Sequence, residues 1–206
     1  MDMATYITAF VTLFVVMDPV GLAPIFIALT PDMSGAARRR IGLRALVIAA
    51  ILLTLFGLAG EAILSGIGIS ISAFRIAGGL LLFLTALDML FERRTERREG
   101  QAGMEEPSHD PSVFPLAMPL LAGPGALATM ILLVGEGQGA GHIVMVHLMM
   151  LAVLAIAMVL FVLATPLARA LGRTGTMVVT RLLGMLLAAL SVQFVIDGLR
   201  GSGLFG

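Results

Sequence analysis

The chain has 206 residues, of which 59% are hydrophobic and 13% charged, with a net charge of zero and a mean hydropathy of +1.04. A soluble domain carries about a quarter charged residues, so too little polar surface is present here to cover a globule in water. The composition excludes an ordinary soluble domain and predicts a protein embedded in lipid. Cysteine is absent, which excludes a disulfide framework and a thiolate metal site. The basic residues form no nucleic-acid-binding patch, and no cofactor motif is present.

Six apolar stretches follow one another along the chain, each long enough to cross a membrane. A helix needs about 20 residues to span the hydrocarbon layer. The N-terminus lacks a basic segment and a small-residue cleavage site, so we expect the first stretch to be retained. The alternation of a barrel strand is missing. The predicted spans are 5–29, 43–64, 69–91, 114–135, 142–165 and 176–199.

One long polar stretch separates the third and fourth spans. Residues 92–113 mix charges with Gly and Pro, a composition typical of a flexible linker. We therefore predict a three-helix unit at 1–91, a cytoplasmic linker at 92–113 and a second three-helix unit at 114–206. A regulatory or metal-binding role for His109 and Asp110 is a less favoured alternative, and we predict no metal site.

Arginine supplies every basic side chain, and its distribution predicts the orientation of the protein. Ten arginines fall in the segments after spans 1, 3 and 5, which lie on one side of a six-span protein. The other side holds Arg200, with Arg75 and Arg181 inside helix ends. Basic residues concentrate on the cytoplasmic side, so we expect both termini outside the cytoplasm. Re-entrant first and fourth stretches would move Arg169 and Arg173 outward and weaken this bias, which favours six full spans.

The third and sixth spans share an ordered pattern. FRIAGGLLLFLTAL begins at Phe74 and TRLLGMLLAALSVQ at Thr180, and both place Arg, Gly and a hydroxyl residue at the same spacing. At nearly the same offset, MDPVGLAP of the first span matches AGPGALAT of the fourth. These matches predict a duplication. Because each half has three spans, the second must be inverted, as in many secondary transporters. The expected fold is an all-α membrane protein of six transmembrane helices in two inverted repeats, with helices 1 and 4 broken.

The first helix break is predicted at Asp18-Pro19-Val20-Gly21-Leu22-Ala23-Pro24. Pro19 and Pro24 lack an N–H group, so the helical hydrogen bonds must open around them. A charged residue at this depth costs about 2.5–3.5 kcal/mol on insertion scales and is expected to face inward. Asp followed by Pro is also a common helix start. Asp18 is therefore interpreted as a helix cap, as a substrate or proton site, or as both.

The second break is predicted at Gly123-Pro124-Gly125. One interpretation is a flexible kink that allows close helix packing. The other follows from the helix dipole: a helix beginning at Pro124 directs unpaired N–H groups and partial positive charge at the membrane midplane, which suits a carboxylate. Asp18 at one break and an uncapped helix start at the other would match a small zwitterion.

Several further polar residues fall inside the spans. Together with the two breaks they give a predicted substrate site composed of Asp18, Gly21, Gly123, Gly125, Thr129, Ser191 and Gln193. Glu61 and Arg75 are symmetric about Gly68, which favours an ion pair between antiparallel helices. His142 and His147 lie near the outer end of the fifth span, where we expect a wetted surface.

The motifs resemble the MarC family of bacterial inner-membrane proteins, also grouped as neutral amino-acid transporters. The matching stretches begin at Asp18 (DPVGLAPIFIALT), Gly68 (GISISAFRIAGGLLLFLTALDMLF), Phe114 (FPLAMPLLAGPGALATMIL) and Thr180 (TRLLGMLLAALSVQFVIDGLR). The resemblance implies six spans in the bacterial cytoplasmic membrane and the movement of small neutral amino acids. Relatives often carry Asn in place of Asp18, which favours the capping interpretation.

The combined expectation is a secondary transporter or exporter of small neutral amino acids or similar zwitterions, driven by a proton or sodium gradient. Its partners are the lipid bilayer and a small-molecule substrate, and no oligomeric state is predicted. Drug or antibiotic efflux is an alternative, although one Tyr and no Trp supply little of an aromatic cavity. A membrane scaffold or sensor using the linker is a second alternative. An enzyme is not expected, because H-E-x-x-H and G-x-S-x-G motifs are missing.

Overall fold

The computed structural model describes residues 3–91, 110–137 and 139–203, which form helices and no strands. Most of the predicted linker, including His109, lies outside these residues. We number the helical segments α1 to α8 in chain order; α5 is loosely wound, and the others are α-helices. Their bounds are α1 Met3–Met17, α2 Pro19–Leu29, α3 Gly35–Gly66, α4 Ile71–Leu90, α5 Ser112–Leu121, α6 Pro124–Gly135, α7 Ala140–Val162 and α8 Ala164–Gly201.

The helices confirm an integral membrane protein and give five or six spans. The α1–α2 pair, α3, α4, α7 and α8 are each long and apolar enough to cross a bilayer. The α5–α6 pair is bent by 56° and supplies the sixth span if it crosses as one unit. Large apolar side chains are exposed at four-residue spacing on α3, at Leu43, Val47, Ile51 and Leu55. Such a surface requires lipid to cover it.

The two broken helices occupy the centre of the bundle. In the α1–α2 pair, 61% of the residues in the most apolar stretch are buried, compared with 28–33% in α3, α4, α7 and α8. Helix α6 is buried on several faces, with Ala126, Met130 and Leu132 all inside. Asp18 and Pro19 are buried, so the first break is shielded from lipid, as a helix break at membrane depth requires.

Long helices α4 and α8 form the most extensive helix pair and approach closely at glycines. A Cβ atom added at Gly79 would lie 2.8 Å from the carbonyl oxygen of Ser191, and one added at Gly198 would lie 2.9 Å from that of Ser72. Small residues at such crossings allow backbones to meet, which is how membrane helices gain packing energy without a hydrophobic driving force.

Two helices begin earlier than the sequence predicts. Helix α3 starts at Gly35, because the Ser34 hydroxyl accepts a hydrogen bond from the Ala37 amide at 3.3 Å and caps the helix. Helix α8 starts at Ala164 and continues through a change of direction at Gly172, where φ is 59°. Pro166 is compatible with this start because its missing N–H falls in the first turn. Arginines predicted to lie in loops therefore lie on helices.

Helix starts recur at one spacing in the two parts of the chain. Helices α2 and α6 begin at Pro19 and Pro124, and helices α3 and α7 begin at Gly35 and Ala140, 105 residues apart in each case. The packing is reciprocal as well, since α3 packs on α5 and α6 whereas α7 packs on α1 and α2. The two parts of the chain thus have the same order of breaks and helix starts, and one long helix of each packs on the broken pair of the other.

Candidate functional site

The first break is closed by the side chain of Asp18. This residue has φ 51° and ψ 63°, the left-handed region, and its Oδ1 accepts a hydrogen bond from the Gly21 amide at 3.0 Å. Asp18 is fully buried. Pro19 occupies the first helical position, where its missing N–H is not needed. The capping interpretation of Asp18 is therefore what the structure shows, and it leaves room for a second role because a carboxylate can accept several hydrogen bonds.

Gly21 follows from the same geometry. A Cβ atom at this position would lie 2.2 Å from Oδ2 of Asp18, which is far inside contact distance. Only glycine fits beside the capping carboxylate. The cap thus gives Gly21 a structural role, whether or not it contacts substrate.

Pro24 does not break the helix. It lies inside continuous helix α2 and is exposed, so the prediction of a break at this residue is wrong. A proline in this position removes one backbone hydrogen bond near the helix start, and the rest of α2 remains wound as far as Leu29.

The second break has no side-chain cap. Gly123 is extended, with φ −73° and ψ 169°, and α6 begins at Pro124. A Cβ atom added to Gly123 would lie 2.5 Å from the carbonyl oxygen of Pro119. The chain therefore excludes a side chain where the first break has a carboxylate. The predicted difference between the two breaks, one capped and one open, is confirmed.

The segment leading into the second break is itself irregular. Within α5, Phe114 and Met118 have extended dihedral angles, as residues before proline prefer. Pro115 and Pro119 follow them. This irregularity was not predicted, although two prolines four residues apart are a sufficient signal for it.

The second break lies against α1 and α4. A Cβ atom added at Gly125 would be 3.5 Å from Cγ1 of Val16 and 3.9 Å from Oγ1 of Thr85. Val16 is two residues before Asp18, so the second break packs against the end of α1, near the first break. Thr129 is one turn further along α6 and fully buried, and its hydroxyl donates to the Gly125 carbonyl at 2.8 Å.

Two other predicted site residues have different surroundings. Ser191 is buried in the contact of α8 with α4, and its hydroxyl donates to the carbonyl of Ala188 at 2.7 Å. Gln193 is exposed and donates to Asp197 of the same helix at 2.9 Å. The structure therefore does not bring Gln193 into the buried region around the breaks.

Arg75 is beside Glu136 rather than Glu61. The distance from Nη2 of Arg75 to Oε1 of Glu136 is 3.8 Å, and Glu61 is exposed. Helices α3 and α4 have little mutual contact because α4 packs along α8, so the antiparallel pair that would join Glu61 to Arg75 is not formed. Burial raises the pKa of Glu136, and the charge of Arg75 opposes that shift.

Arg75, Glu136 and His142 form a polar cluster beyond the end of α6 that was not predicted. His142 is nearly buried, and its Nε2 lies 2.8 Å from the carbonyl oxygen of Leu133. The ring of Tyr6 is 6.0 Å away between centroids. The expected wetted surface at His142 is therefore wrong, because the start of α7 folds back against the end of α6. Glu136 is a single acidic residue after an apolar helix, and that pattern alone does not predict a buried cluster.

A comparison of the sequence with known families shows to which family the chain belongs. The profile described as "MarC family integral membrane protein" matches residues 3–202. The chain belongs to the MarC family. A UPF0056 membrane protein of Archaeoglobus fulgidus is 41% identical, covering 97% of this chain and 96% of the relative. The relatives YhcE of Escherichia coli and YvbG of Bacillus subtilis are 35% and 33% identical, covering 97% and 93% of this chain and 94% and 92% of theirs.

The predicted resemblance is thus confirmed over nearly the whole chain, and this MarC protein has archaeal as well as bacterial relatives. The names of these relatives describe membrane proteins and state no substrate. No solved structure matches the chain. The arrangement of the two breaks in the bundle is therefore the main structural basis for a functional argument.

Proposed function

We propose that this MarC protein is a secondary transporter or exporter of small neutral amino acids, or of similar small zwitterions, across the cytoplasmic membrane. One observation supports the proposal above all others: two helix breaks of unlike chemistry lie near one another, because Gly125 of the second break packs beside Val16, two residues before Asp18. Asp18 supplies a carboxylate at one break, and the start of α6 carries no side-chain cap at the other.

The shared spacing of helix starts supports an inverted-repeat architecture. If α5 and α6 together cross the bilayer, each half contributes three spans, and the second half is inverted relative to the first. Transporters of this plan bind substrate between the repeats, on the ends of broken helices. The reciprocal packing of α3 on α5 and α6, and of α7 on α1 and α2, fits a two-fold relationship with the breaks close to its axis.

The chemistry of the breaks favours a zwitterion with a small side chain. The N-terminal amides of a helix attract a carboxylate, and the Asp18 carboxylate attracts an ammonium group. The uncapped start of α6 leaves its first amides available to a ligand, whereas Val16 and Leu82 beside Gly125 limit the space for a substrate side chain. Drug efflux is less well supported, because a chain with one Tyr and no Trp supplies little of the aromatic lining that such a cavity uses.

The proposed orientation places the arginine-rich start of α3 in the cytoplasm and both termini outside it. Arg38, Arg39 and Arg40 lie in the first two turns of α3, and Arg169 and Arg173 lie in the first part of α8. Basic residues at these helix ends follow the rule for cytoplasmic segments. A proton or sodium gradient would supply the driving force.

Flux of radiolabelled Ala, Ser, Thr and Gly into proteoliposomes tests the proposal, with empty liposomes as the blank and an imposed proton or sodium gradient as a second condition. Saturable uptake of at least one of the four is expected. If the wild type moves none of them under either gradient, the substrate class is wrong.

Variants at Gly125 test the site itself. Gly125→Leu should abolish flux, because its side chain would fill the space between Val16 and Leu82. Gly141→Leu is the matched control, since a Cβ atom at Gly141 has no atom of the described chain within 4 Å. Equal flux in both variants would show that the second break is only a kink. Deletion of residues 92–109 should leave flux largely intact, whereas a scaffold that used the linker would fail.

A further inference from the structure

A second feature of the bundle lies away from the two breaks. A cavity of about 270 Å³ opens where the ends of α2 and α7 meet the starts of α3 and α8. Phe26, Met158 and Phe161 form an apolar wall, with the rings of Phe26 and Phe161 stacked at 4.5 Å between centroids. Arg38, Arg39 and Thr165 form the polar side.

The charge in this cavity has one sign. Both charged residues that line it are arginines, and no carboxylate of the described chain is among the lining residues. Nε of Arg38 donates to the carbonyl oxygen of Thr30 at 3.1 Å, and Nη1 donates to the hydroxyl of Thr165 at 3.4 Å. These bonds use two of the five N–H donors of the guanidinium and hold it at the cavity, with donors remaining for an anion.

Two helix starts add to this positive field. Gly35 and Ala164, the first residues of α3 and α8, both line the cavity. The first amides of a helix have no partner within the helix and carry partial positive charge. Around Gly35 the space is open, since a Cβ atom there would meet nothing within 4 Å.

The surroundings connect the cavity to the lipid-covered surface. Val162 lines the cavity and is 51% exposed, and Leu163 beside it is 48% exposed. Exposed apolar side chains of this size next to a cationic cavity suit an amphiphile better than a fully hydrated ion. Basic cavities between membrane helices are a recurring form of site for anionic lipid head groups.

We propose that this cavity binds the phosphate of an anionic phospholipid, with Arg38 and Arg39 as its ligands. The glycerol and upper acyl region lies against Met158 and Val162, which are accessible, whereas Phe26 and Phe161 are almost fully buried. Because the cavity joins α2 and α3 to α7 and α8, a bound lipid stabilises the packing of the two parts of the chain. The lipid site does not depend on the transport proposal and can be tested without a substrate.

The test uses full-length protein purified in detergent and phosphatidylglycerol or phosphatidylcholine of identical acyl chains. Retention of lipid by native mass spectrometry and the shift in Tm are the two readouts. We expect phosphatidylglycerol to be retained and to raise Tm with the logarithm of its concentration above the Kd, with phosphatidylcholine giving a much smaller shift. Equal effects of the two lipids would overturn the proposal.

Single arginine variants locate the site. Arg39→Gln should weaken phosphatidylglycerol binding about tenfold, the size expected for one charge-assisted hydrogen bond, and Arg38→Gln should weaken it at least as much. Because Arg38 also bonds to Thr30 and Thr165, Arg39 is the variant that leaves the fold intact. Arg40→Gln is the matched control: Arg40 has the same charge on the same helix, is exposed and does not line the cavity.

Two outcomes would contradict the lipid assignment. If Arg39→Gln and Arg40→Gln weaken binding equally, the effect is general surface charge and the cavity is not the site. If inorganic phosphate alone reproduces the full shift in Tm and displaces phosphatidylglycerol at equal concentration, the cavity is a site for free anions and the lipid source is wrong.

Discussion

The two helix breaks are alike in position and opposite in what they permit. At the first, a left-handed Asp18 folds its carboxylate back onto the amide of Gly21. At the second, an extended Gly123 has the carbonyl of Pro119 where a side chain would begin. Both breaks therefore begin a helix with proline, and they differ in the residue before it, Asp18 or Gly123. The comparison shows that the residue before the proline decides whether the helix start carries a negative cap or none.

The strictest test of this difference is a side chain at the second break. Gly123→Ala would place its Cβ 2.5 Å from a backbone oxygen, which cannot rotate away as a side chain can. Overpacking of this kind costs about 3 kcal/mol, so we expect a large fall in thermal stability and loss of flux. Thermal unfolding in detergent measures it. Gly125→Ala, with a 3.3 Å contact to a movable Leu82 methyl, is the control and should stay close to wild type.

The next test removes the cap at the first break. Asp18→Ala loses the hydrogen bond to Gly21 and keeps an unfavourable positive φ, for a combined cost of about 2 kcal/mol. Asp18→Asn retains an acceptor and tolerates the left-handed conformation, so it should cost only a few tenths of a kcal/mol. Unfolding of the two variants side by side gives the cap energy.

Flux then separates the two roles of Asp18. If the carboxylate binds the ammonium group of a substrate, Asp18→Asn should fold normally and transport at least about tenfold more slowly, since a charged hydrogen bond is lost. Normal flux in Asp18→Asn would reduce Asp18 to a structural cap and leave the open start of α6 as the one charged end at the site.

The comparison extends to the other ends of the broken helices. At the end of α2, Arg38 donates to the backbone carbonyl of Thr30, the residue that follows the helix. At the end of α6, Glu136 follows the helix and lies beside Arg75. Burial raises the pKa of Glu136 above its usual 4.5, so the folded state holds this proton more tightly than the unfolded state. The stability from this proton is complete below pH 4.5 and is lost as the pH rises through the raised value.

Glu136→Gln should therefore show a smaller loss of stability than the wild type as the pH is raised from 4.5 to neutral. Thermal unfolding at a series of pH values measures the difference. Glu61→Gln, on the exposed surface of α3, is the matched control and should follow the wild type. Parallel curves for wild type and Glu136→Gln would mean that Glu136 is solvated in the folded protein.

Much of this architecture was predictable because membrane helices are long and apolar, and prolines mark their breaks. Pro19 and Pro124 located both breaks, and Asp before Pro predicted the cap. Pairing between helices was not predictable in the same way. The hypothesis that joined Glu61 to Arg75 assumed that neighbouring spans pack together, whereas glycine contacts such as Gly79 with Ser191 hold α4 against α8. The residues of one span do not indicate which distant helix it will pack against.

The smallest expected effect concerns Gln193, which was predicted at the site as a polar residue inside a span and which lies outside the region of the breaks in the structure. Its side chain is exposed and bonds to Asp197 within α8, an interaction worth a few tenths of a kcal/mol. Gln193→Ala should therefore leave both stability and flux near wild type.

Thr129→Val, which removes a buried hydroxyl one turn from the open break, should alter the apparent KM for substrate. The reverse ranking would move the site from the breaks toward the outer end of α8.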